Sequence, residues 1–510
     1  MQDLKNIKLN PGFKKGIVFV PSSKSISHRA LICAALAKEQ GNIYGIDRSD
    51  DIDATINALE IIKKHGNIIN CKESGSTLRF LIPVVAALGI TATFTGEGKL
   101  PQRPIVLYQD LFKDKGVNLD LENGGLPAKI SGKLQSGKFH VPGNITSQYI
   151  TGLMFALPLL DGDSEIIITS TLESAEYVYI TIDVLKSFGI IIKKIANIFY
   201  IKGNQKYQGI NYTVEGDYSQ AAFFACIGAI NGDITIKGLN PDSLQGDHKI
   251  IDILREFGAK IFFDGDDLRI KKSKNLNDIK IDAAQIPDLV PVLSVVAAYA
   301  KGETIIYNAG RLRLKESDRI NAVCEMLKSI GAQVQETNDG MIINGTYGEK
   351  LSGGFVKSYN DHRIAMSAAV ASIWTENGVV IDDMGCINKS YPMFLRDFEE
   401  LNRKTQFKNK KMLINIVLII FLLLIFIAGI IIIFNALTNA EEYAKNYILK
   451  KKADGRFCYT GSWQELYDNF YYSFKIGNII LGIIILLISG IGLIFNGRIL
   501  YRKIKKESKK

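Results

Sequence analysis

Six nearly all-apolar runs recur between residues 30 and 378, each preceded by a short polar segment and ended near a glycine. The runs are ALICAALA, LIPVVAALG, ITGLMFALPLLDG, AAFFACIGAING, VPVLSVVAAYAKG and AMSAAVASIWTENG. A helix that is apolar on all sides has to be buried on all sides, so the runs predict six internal helices. A β-rich stretch follows each run, and in five units an amphipathic helix ending in glycine, such as TIDVLKSFG, comes next. The pattern predicts six repeated α/β units.

The repeat has a consequence for ligand binding. Six units can divide three and three between two domains, and each internal helix starts with polar residues suited to capping. If the internal helices of a domain are parallel, their N-termini share one face, and each offers free N–H groups and about half a positive charge. A cleft between two such faces would attract anions.

Two longer apolar runs near the C-terminus have a different character. Residues 412–434 and 476–495 contain no charged side chain, and basic residues flank both runs. Each run is long enough to cross about 30 Å of hydrocarbon as a helix. A buried helix of a soluble protein is the alternative, but two uncharged runs of this length disfavour it. The sequence therefore predicts a membrane tail over residues 403–510, with spans at about 412–434 and 476–495.

Charge and cysteine usage exclude two classes of function. The net charge of the 510 residues is +10, but residues 403–510 hold 18 Lys and Arg against 6 Asp and Glu, which leaves residues 1–402 at −2. A near-neutral body without an Arg-rich stripe does not indicate nucleic-acid binding. The six cysteines are scattered and form no CxxC pair, so neither a disulfide framework nor a zinc site is predicted.

The polar segments at the starts of the units carry the candidate chemistry. Eight cations stand in them or just downstream: Lys24, Arg29, Arg79, Arg103, Lys315, Arg319, Arg363 and Lys389. Arginine offers a bidentate fork to carboxylate and phosphate, and lysine a mobile point charge, so we expect a ligand with several negative charges. Asp288 and Glu316 are the carboxylates that stand out inside this set, and they are the candidate acid and base.

Seven motifs in chain order carry a family resemblance: SKSISHR, SGSTLR, PQRPI, SQY, LKESDR, NDHR and NKSYP. Over about residues 8–400 the chain resembles the 5-enolpyruvylshikimate-3-phosphate synthases. The resemblance implies an α/β fold of two inside-out barrel domains with three repeats each. One domain would comprise residues 1–20 and 240–402, and the other residues 21–239. The helical hairpin of the tail is not typical of the family.

The resemblance also implies a reaction of the shikimate pathway, the route to chorismate and the aromatic amino acids. The enolpyruvyl group of phosphoenolpyruvate passes to the 5-hydroxyl of shikimate 3-phosphate, and phosphate is released. The residues implied for shikimate 3-phosphate are Lys24, Ser25, Arg29, Thr146, Ser147, Gln148, Ser174, Tyr177, Asp288 and Lys315. Those implied for phosphoenolpyruvate are Lys24, Gly75, Arg103, Gln148, Arg319, Arg363 and Lys389.

The implied catalytic residues are Asp288, Glu316 and Lys24. Asp288 would take the proton of the 5-hydroxyl, and Glu316, assisted by Lys24, would protonate the enol carbon. No metal or organic cofactor is implied, and we expect a monomeric catalytic body. The chain departs from the family at Glu73, where asparagine is frequent, so an acidic group stands near the expected phosphoenolpyruvate site.

Two other functions are open to a chain of this fold. A UDP-sugar enolpyruvyl transferase shares the fold, but it typically carries a loop cysteine nucleophile, and GEGKLPQRP contains none. An inactive, membrane-anchored binding protein is the second alternative, and the presence of Lys24, Asp288, Glu316 and Arg319 argues against it.

Basic residues around the two spans predict the orientation of the tail. Five Lys and Arg precede the first span at residues 403–411, and seven follow the second at residues 498–510. The connecting segment, expected to be a loop, carries Lys445, Lys450, Lys451, Lys452 and Arg456. Because Lys and Arg are retained on the cytoplasmic side, we expect both ends and the catalytic body in the cytoplasm and the loop outside.

Overall fold

The computed structural model describes residues 4–401, 403–453, 462, 465, 468–487 and 489. The chain divides into a body, Met1–Asn402, and a tail, Arg403–Lys510. The helices of the body are α1 (Lys24–Leu36), α2 (Asp50–Lys63), α3 (Gly75–Leu88), α4 (Leu107–Phe112), α5 (Ser147–Ala156), α6 (Ala175–Ser187), α7 (Tyr218–Asn231), α8 (Ile250–Glu256), α9 (Val290–Tyr299), α10 (Arg319–Ser329), α11 (His362–Ser372) and α12 (Phe394–Glu400).

The strands of the body are mostly short. They are β1 (Lys5–Leu9), β2 (Lys14–Phe19), β3 (Ile43–Tyr44), β4 (Ile68–Asn70), β5 (Ala92–Thr95), β6 (Val117–Glu122), β7 (Gly125–Gly132), β8 (Lys138–Val141), β9 (Ser164–Ile168), β10 (Ile192–Ile195), β11 (Ile198–Ile201), β12 (Tyr212–Thr213), β13 (Gly232–Lys237), β14 (Lys260–Asp264), β15 (Asp267–Lys271), β16 (Lys280–Asp282), β17 (Glu303–Tyr307), β18 (Gln333–Thr337), β19 (Gly340–Asn344), β20 (Gly354–Val356) and β21 (Val379–Asp383).

The sheets repeat one pairing pattern. The four-stranded sheets have the orders β4-β5-β7-β6, β8-β9-β11-β10, β2-β13-β15-β14 and β16-β17-β19-β18. In each of them the first pair is parallel and the next two pairs are antiparallel. The two smaller sheets, β20-β21-β1 and β3-β12, also contain a parallel pair. The repeat found in the sequence is therefore a repeat of the fold.

The six apolar runs form the internal helices α1, α3, α5, α7, α9 and α11. In α7, α9 and α11 every side chain is buried, as their lack of a polar face requires. Four of the six, α3, α5, α9 and α11, connect the two parallel strands of a sheet. Such a helix starts where the first strand ends, so the internal helices begin at equivalent places in their units.

Side chains cap most of these helices at the N-terminus. Ser23, Ser74 and Thr146 accept hydrogen bonds from the first turns of α1, α3 and α5, and Asp217 and Asp361 do the same for α7 and α11. These caps satisfy backbone N–H groups that would otherwise lack a partner inside the protein.

The buried apolar residues of the body form two clusters. The central core is drawn from residues 26–214, and the terminal core from residues 9–20 and 218–401. The predicted two-domain division differs from these cores in one respect, because we placed residues 218–239 with the central segment. Helix α7 packs in the terminal core, and β13 pairs with β2, so the change of core falls between Val214 and Tyr218.

The tail contains two long apolar helices, α13 (Arg403–Ala453) and α14 (Asp468–Leu487). They pack against each other in antiparallel fashion: Tyr447 stacks on Phe470 with ring centroids 3.9 Å apart, and Gly429 lies against Gly482. The predicted helical hairpin is thus present. The first predicted span, 412–434, is only the middle of α13, and the second extends past Leu487 into residues that are mostly not described.

The connecting segment differs from the expected loop. Lys445, Lys450 and Lys451 lie on α13, which continues about five turns beyond residue 434. Contacts between aromatic side chains, including Tyr443 with Phe474, hold α13 and α14 together in this region, which explains why the helix does not end where the uncharged run ends.

Candidate active site

The N-termini of all six internal helices line one cavity of the body. The lining residues from these helix starts are Lys24 and Ser25 (α1), Gly75 and Ser76 (α3), Ser147 and Gln148 (α5), Asp217 and Ser219 (α7), Asp288 (α9), and His362 and Arg363 (α11). Because each helix start carries a partial positive charge, the fold itself makes this cavity attractive to anions.

The cavity brings together every residue that the sequence analysis assigned to the site except Lys389. These residues are Lys24, Ser25, Arg29, Gly75, Arg103, Thr146, Ser147, Gln148, Ser174, Tyr177, Asp288, Lys315, Glu316, Arg319 and Arg363. Lys389 instead donates from Nζ to Oε2 of Glu73 and to the carbonyl of Asn360, both at 2.8 Å. The unusual acidic residue of the family motif therefore holds one of the expected substrate cations.

Arg29 is a buried cation held by neutral groups. Its guanidinium donates to the hydroxyl of Thr181 at 2.8 Å and to the carbonyls of Ser25 and Tyr177 at 2.6 and 3.0 Å. Burial lowers its pKa to about 10, so the group stays charged at neutral pH. A buried positive charge with no carboxylate among these partners is suited to an anionic ligand.

A second cationic patch is formed by Arg79 and Arg103 around Gly75. Arg79 donates to Oε1 of Gln148 at 3.0 Å and to the carbonyl of Pro104 at 3.2 Å, while Gln148 donates to Ser76. Burial and the neighbouring charge of Arg103 lower the pKa of Arg79 to about 10. Among the described residues, the Nε groups of both arginines lack a hydrogen-bond partner.

Gly75 leaves the space that these guanidinium groups occupy. A Cβ atom at this position would lie 2.7 Å from Nη1 of Arg103 and 3.0 Å from Nη1 of Arg79. We expect Gly75→Ala to displace Arg103 and to raise the Michaelis constant for an anionic substrate about tenfold or more, since a charge-assisted hydrogen bond contributes about 1.5–3 kcal/mol.

Steady-state kinetics of Gly75→Ala beside Gly310→Ala would measure this effect. The nearest atom to a Cβ at Gly310 is 3.8 Å away, so this control adds the same methyl group without a clash. Equal Michaelis constants in the two variants would contradict the steric argument.

Arg319 is the centre of a cluster of three carboxylates. It is 1% exposed, and it donates to Oδ1 of Asp288 at 2.8 Å, to Oε2 of Glu316 at 2.6 Å and to Oδ2 of Asp361 at 2.8 Å. Burial opposes its charge, but the three carboxylates outweigh burial and raise its pKa. In this arrangement Arg319 positions the two candidate acid–base groups, a role that the sequence analysis did not assign to it.

The two candidate acid–base carboxylates are held ionised. Burial alone raises the pKa of Asp288, but the charges of Arg363, Lys315 and Arg319 outweigh it and hold the pKa well below its ordinary value. For Glu316, burial is outweighed by Arg319 first and then by Arg103, so its pKa is also well below the ordinary value. Asp288 is therefore ready to accept a proton, whereas Glu316 has to gain one before it can donate.

Lys24 also has a carboxylate partner. Its Nζ lies 2.7 Å from Oδ2 of Asp51, the second residue of α2, and its backbone N–H donates to Oδ2 of Asp217 at 2.9 Å. The sequence analysis assigned Lys24 to both substrates. In this structure its charge is compensated by a carboxylate of α2, which also orients the side chain.

Sequence reasoning missed Asp51, Asp217 and Arg311, which line the cavity, and Asp361, which lies behind it on Arg319. Asp51 and Asp217 resemble ordinary helix-start acids in the sequence, and Asp361 stands unassigned inside the quoted NDHR motif. Arg311, which the sequence analysis did not use, lines the cavity and donates to Oγ of Ser174 at 3.1 Å. For Asp217 and Asp361 the signal available in the sequence was their position at the starts of α7 and α11, equivalent to the helix starts already chosen.

His362 is a further residue of the cavity that the sequence analysis did not assign. Burial, and then the charge of Lys24, lower its pKa to about 3, so the ring is neutral. Both of its nitrogens lack a hydrogen-bond partner among the described residues. Among the residues that the structure describes, no group of three His, Cys, Asp or Glu side chains is placed to hold a metal ion.

Comparison with known proteins identifies relatives of the whole body. The family model of EPSP synthase (3-phosphoshikimate 1-carboxyvinyltransferase) matches residues 11–65 and 60–398, and the match ends before the tail begins. A 3-phosphoshikimate 1-carboxyvinyltransferase from Clostridium acetobutylicum is 47% identical over 419 residues, covering 78% of this chain and 97% of the relative. One from Brachyspira hyodysenteriae is 45% identical, covering 78% and 99%.

Solved structures agree with this assignment. An EPSP synthase from Acinetobacter baumannii matches with a TM-score of 0.66 and 26% identity, covering 78% of this chain and 97% of the other. The enolpyruvyl transferase NikO from Streptomyces tendae matches with a TM-score of 0.62, but at 16% identity it supports the fold alone. The chain therefore belongs to the EPSP synthase family, the 3-phosphoshikimate 1-carboxyvinyltransferases.

Proposed function

We propose that the body transfers the enolpyruvyl group of phosphoenolpyruvate to the 5-hydroxyl of shikimate 3-phosphate and releases phosphate. The observation that carries this proposal is a single cavity in which Arg29, Arg79 and Arg103 face two ionised carboxylates. Among the described residues, none of these three arginines forms an ion pair with a carboxylate, so they are available to two polyanionic substrates.

The family motifs divide the cavity into two subsites. Shikimate 3-phosphate would be held by Lys24, Ser25, Arg29, Thr146, Ser147, Gln148, Ser174, Tyr177, Asp288 and Lys315. Phosphoenolpyruvate would be held by Lys24, Gly75, Arg103, Gln148, Arg319, Arg363 and Lys389. Because Lys389 is paired with Glu73, the substrate would share this cation with the carboxylate or displace it.

The charges around the two carboxylates define their roles. Asp288, kept ionised by three cations, accepts the proton of the 5-hydroxyl as the oxygen attacks the enolpyruvyl carbon. Glu316 shares Arg319 with Asp288 and Asp361. Substrate anions add negative charge near Glu316 and draw cations to themselves, which raises its pKa. Glu316, once protonated from solvent, gives this proton to the methylene carbon, which becomes the methyl group of the tetrahedral adduct. Glu316 then takes a proton back from this methyl group as the bond to phosphate breaks, so the double bond is restored, and the proton taken from the 5-hydroxyl leaves with the phosphate.

A phosphate-release assay on the purified chain tests this proposal. We expect release from phosphoenolpyruvate with shikimate 3-phosphate, and none with a UDP-sugar acceptor or without an acceptor. Release with the UDP-sugar would favour the related transferase. Binding of shikimate 3-phosphate without release would favour an inactive binding protein.

The tail is proposed to anchor the body in the cytoplasmic membrane, with the body in the cytoplasm. Many apolar side chains of α13 and α14 are exposed, among them Phe421, Leu424, Phe434 and Leu487 at 59% or more. Exposed apolar surface of this extent is typical of helices that contact lipid. The excess of Lys and Arg on the two flanks supports a hairpin with both ends on the cytoplasmic side.

We expect a chain ending at Asn402 to be soluble without detergent and to keep a kcat within about twofold of the full chain, because the cavity is built from body residues alone. Sedimentation would show whether each chain stays with the membranes or in the supernatant, and steady-state kinetics would compare their kcat values. A truncated chain that is folded but inactive would show that the tail does more than tether the body.

Cys458 offers a test of the orientation, although it lies outside the described residues. A thiol reagent that cannot cross membranes should label it in intact cells. Labelling only after lysis would overturn the proposed topology.

A further inference from the structure

One phenol bridges two buried carboxylates at the edge of the cavity. The Oη of Tyr177 lies 3.1 Å from Oδ2 of Asp247 and 3.2 Å from Oδ2 of Asp288. A phenol has one proton and can donate to only one of these oxygens at a time. The other hydrogen bond can form only when a carboxyl group carries a proton and donates it to the phenol oxygen. The geometry therefore provides a place for one shared proton.

The two carboxylates differ in their cationic partners. Asp288 lies 2.8 Å from Arg319, 3.2 Å from Arg363 and 3.6 Å from Lys315. Asp247 is 5% exposed, and among the described residues no Lys or Arg forms an ion pair with it. A negative charge is thus well compensated on Asp288 and poorly compensated on Asp247.

The groups facing Asp247 all belong to other elements of the site. Burial first, and then the charge of Asp288, raise its pKa to about 7; Asp217 adds to this rise, while Arg363 and the hydrogen bond from Tyr177 oppose it. A proton on Asp247 is therefore more stable than one on Asp288, whose three cations disfavour the neutral form.

We infer that Asp247 is a proton store for the base Asp288, reached through the hydroxyl of Tyr177. The inference rests on the proposed role of Asp288. The 5-hydroxyl O–H bond breaks and its proton binds Asp288. This proton then passes to Oη of Tyr177 while the phenol's own proton passes to Oδ2 of Asp247. One proton has moved from substrate to Asp247, Tyr177 is neutral again, and Asp288 is ionised. By the reverse path the proton returns through Tyr177 to Asp288, which gives it to the leaving phosphate.

The store keeps Asp288 charged while the tetrahedral adduct exists. Asp288 then continues to hold Arg319 and Arg363, which the proposed site needs in place for the second step. Asp247 does not line the cavity and does not touch the substrate. It acts only through Asp288 and Tyr177, so it supports the base and is not itself a catalytic residue.

The pH dependence of the full chain tests the inference. Asp247 can receive a proton only when it is ionised, so kcat should rise with pH through an inflection near 7. In Asp247→Asn this inflection should disappear, and kcat at pH 8 should fall roughly tenfold with Michaelis constants nearly unchanged. Tyr177→Phe, which removes the bridge, should also lack the inflection. Asp242→Asn, an exposed carboxyl on the same segment, is the matched control and should behave as the wild type.

Thermal unfolding gives a readout that does not depend on activity. The pKa of Asp247 is higher in the folded state, about 7, than in the unfolded chain, about 3.9, so its ionisation disfavours the folded state as pH rises between these values. The Tm of Asp247→Asn relative to the wild type should therefore increase from pH 5 to pH 8, and that of Asp242→Asn should not.

Three outcomes separate the possibilities. Suppose that Asp247→Asn keeps the wild-type inflection and kcat, while the separate variant Asp288→Asn is inactive. This result would overturn the proton store and leave the proposed base in place. Full activity of Asp288→Asn would overturn the proposed base. A Tm lowered equally at every pH, with the inflection retained, would give Asp247 a purely structural role and overturn the inference.

Discussion

Asp288→Asn is expected to lower kcat by about 100-fold or more, because the amide keeps the shape of the side chain but cannot accept the proton of the attacking hydroxyl. The carboxylate is held ionised by Arg363, Lys315 and Arg319, so the wild-type group is a base at neutral pH. The amide oxygen can still accept one hydrogen bond from these cations. Binding of shikimate 3-phosphate, measured by calorimetry, should therefore change much less than the rate.

The matched control for this variant is Asp278→Asn. Asp278 is an exposed carboxyl just before β16, the strand that precedes Asp288 and α9. It should retain the wild-type kcat. Equal losses of binding and rate in Asp288→Asn would point to a structural role of the carboxylate and not to proton transfer.

Arg319→Ala is expected to destabilise the body by about 3–5 kcal/mol, since it leaves the buried carboxylates of Glu316 and Asp361 without their main cationic partner and Asp288 without one of its three. The variant should also lose activity, because Asp288 and Glu316 are no longer held in place. Urea denaturation of both chains measures the loss of stability.

The pH dependence of this loss has a definite sign. The depressed pKa values of Asp288, Glu316 and Asp361 contribute stability above the unfolded pKa of about 4, and this contribution is lost as pH falls through the folded values. The difference between wild type and Arg319→Ala should therefore be largest near pH 7 and shrink below about pH 4.

Arg313→Ala is the control for Arg319→Ala. Arg313 also contacts two carboxylates, Asp318 and Glu336, but all three side chains are about a third exposed. Ion pairs at such positions contribute about 0–1 kcal/mol. A similar loss in both variants would contradict the importance of burial at Arg319.

Several elements of the fold could be predicted from local pattern. The apolar runs of α7, α9 and α11 have no polar face, and only burial on all sides satisfies such a helix. Their recurrence predicted the repeated units, and the polar residues at their starts predicted where the site lies. The cations there, such as Arg29 and Arg363, could be chosen because anion-binding residues at equivalent helix starts form a pattern along the chain.

The partners of these cations could not be predicted in the same way. Arg319 meets Asp361 across 42 positions, and Lys389 meets Glu73 across 316. No periodicity links residues so far apart, and helix-start acids such as Asp51 are far more often simple caps. The change of core at Tyr218 and the continuation of α13 to Ala453 were likewise set by packing against other elements.

Three features could therefore be read from local pattern: the segments that are buried, the residues at the N-termini of the internal helices, and the family to which they belong. The pairing of each carboxylate with its cation, and with it the ionisation of these groups, depends on the folded chain. The physical reason is that burial follows a local repeat of side chains, whereas charge compensation depends on distances of about 3 Å between residues that only the folded chain brings together.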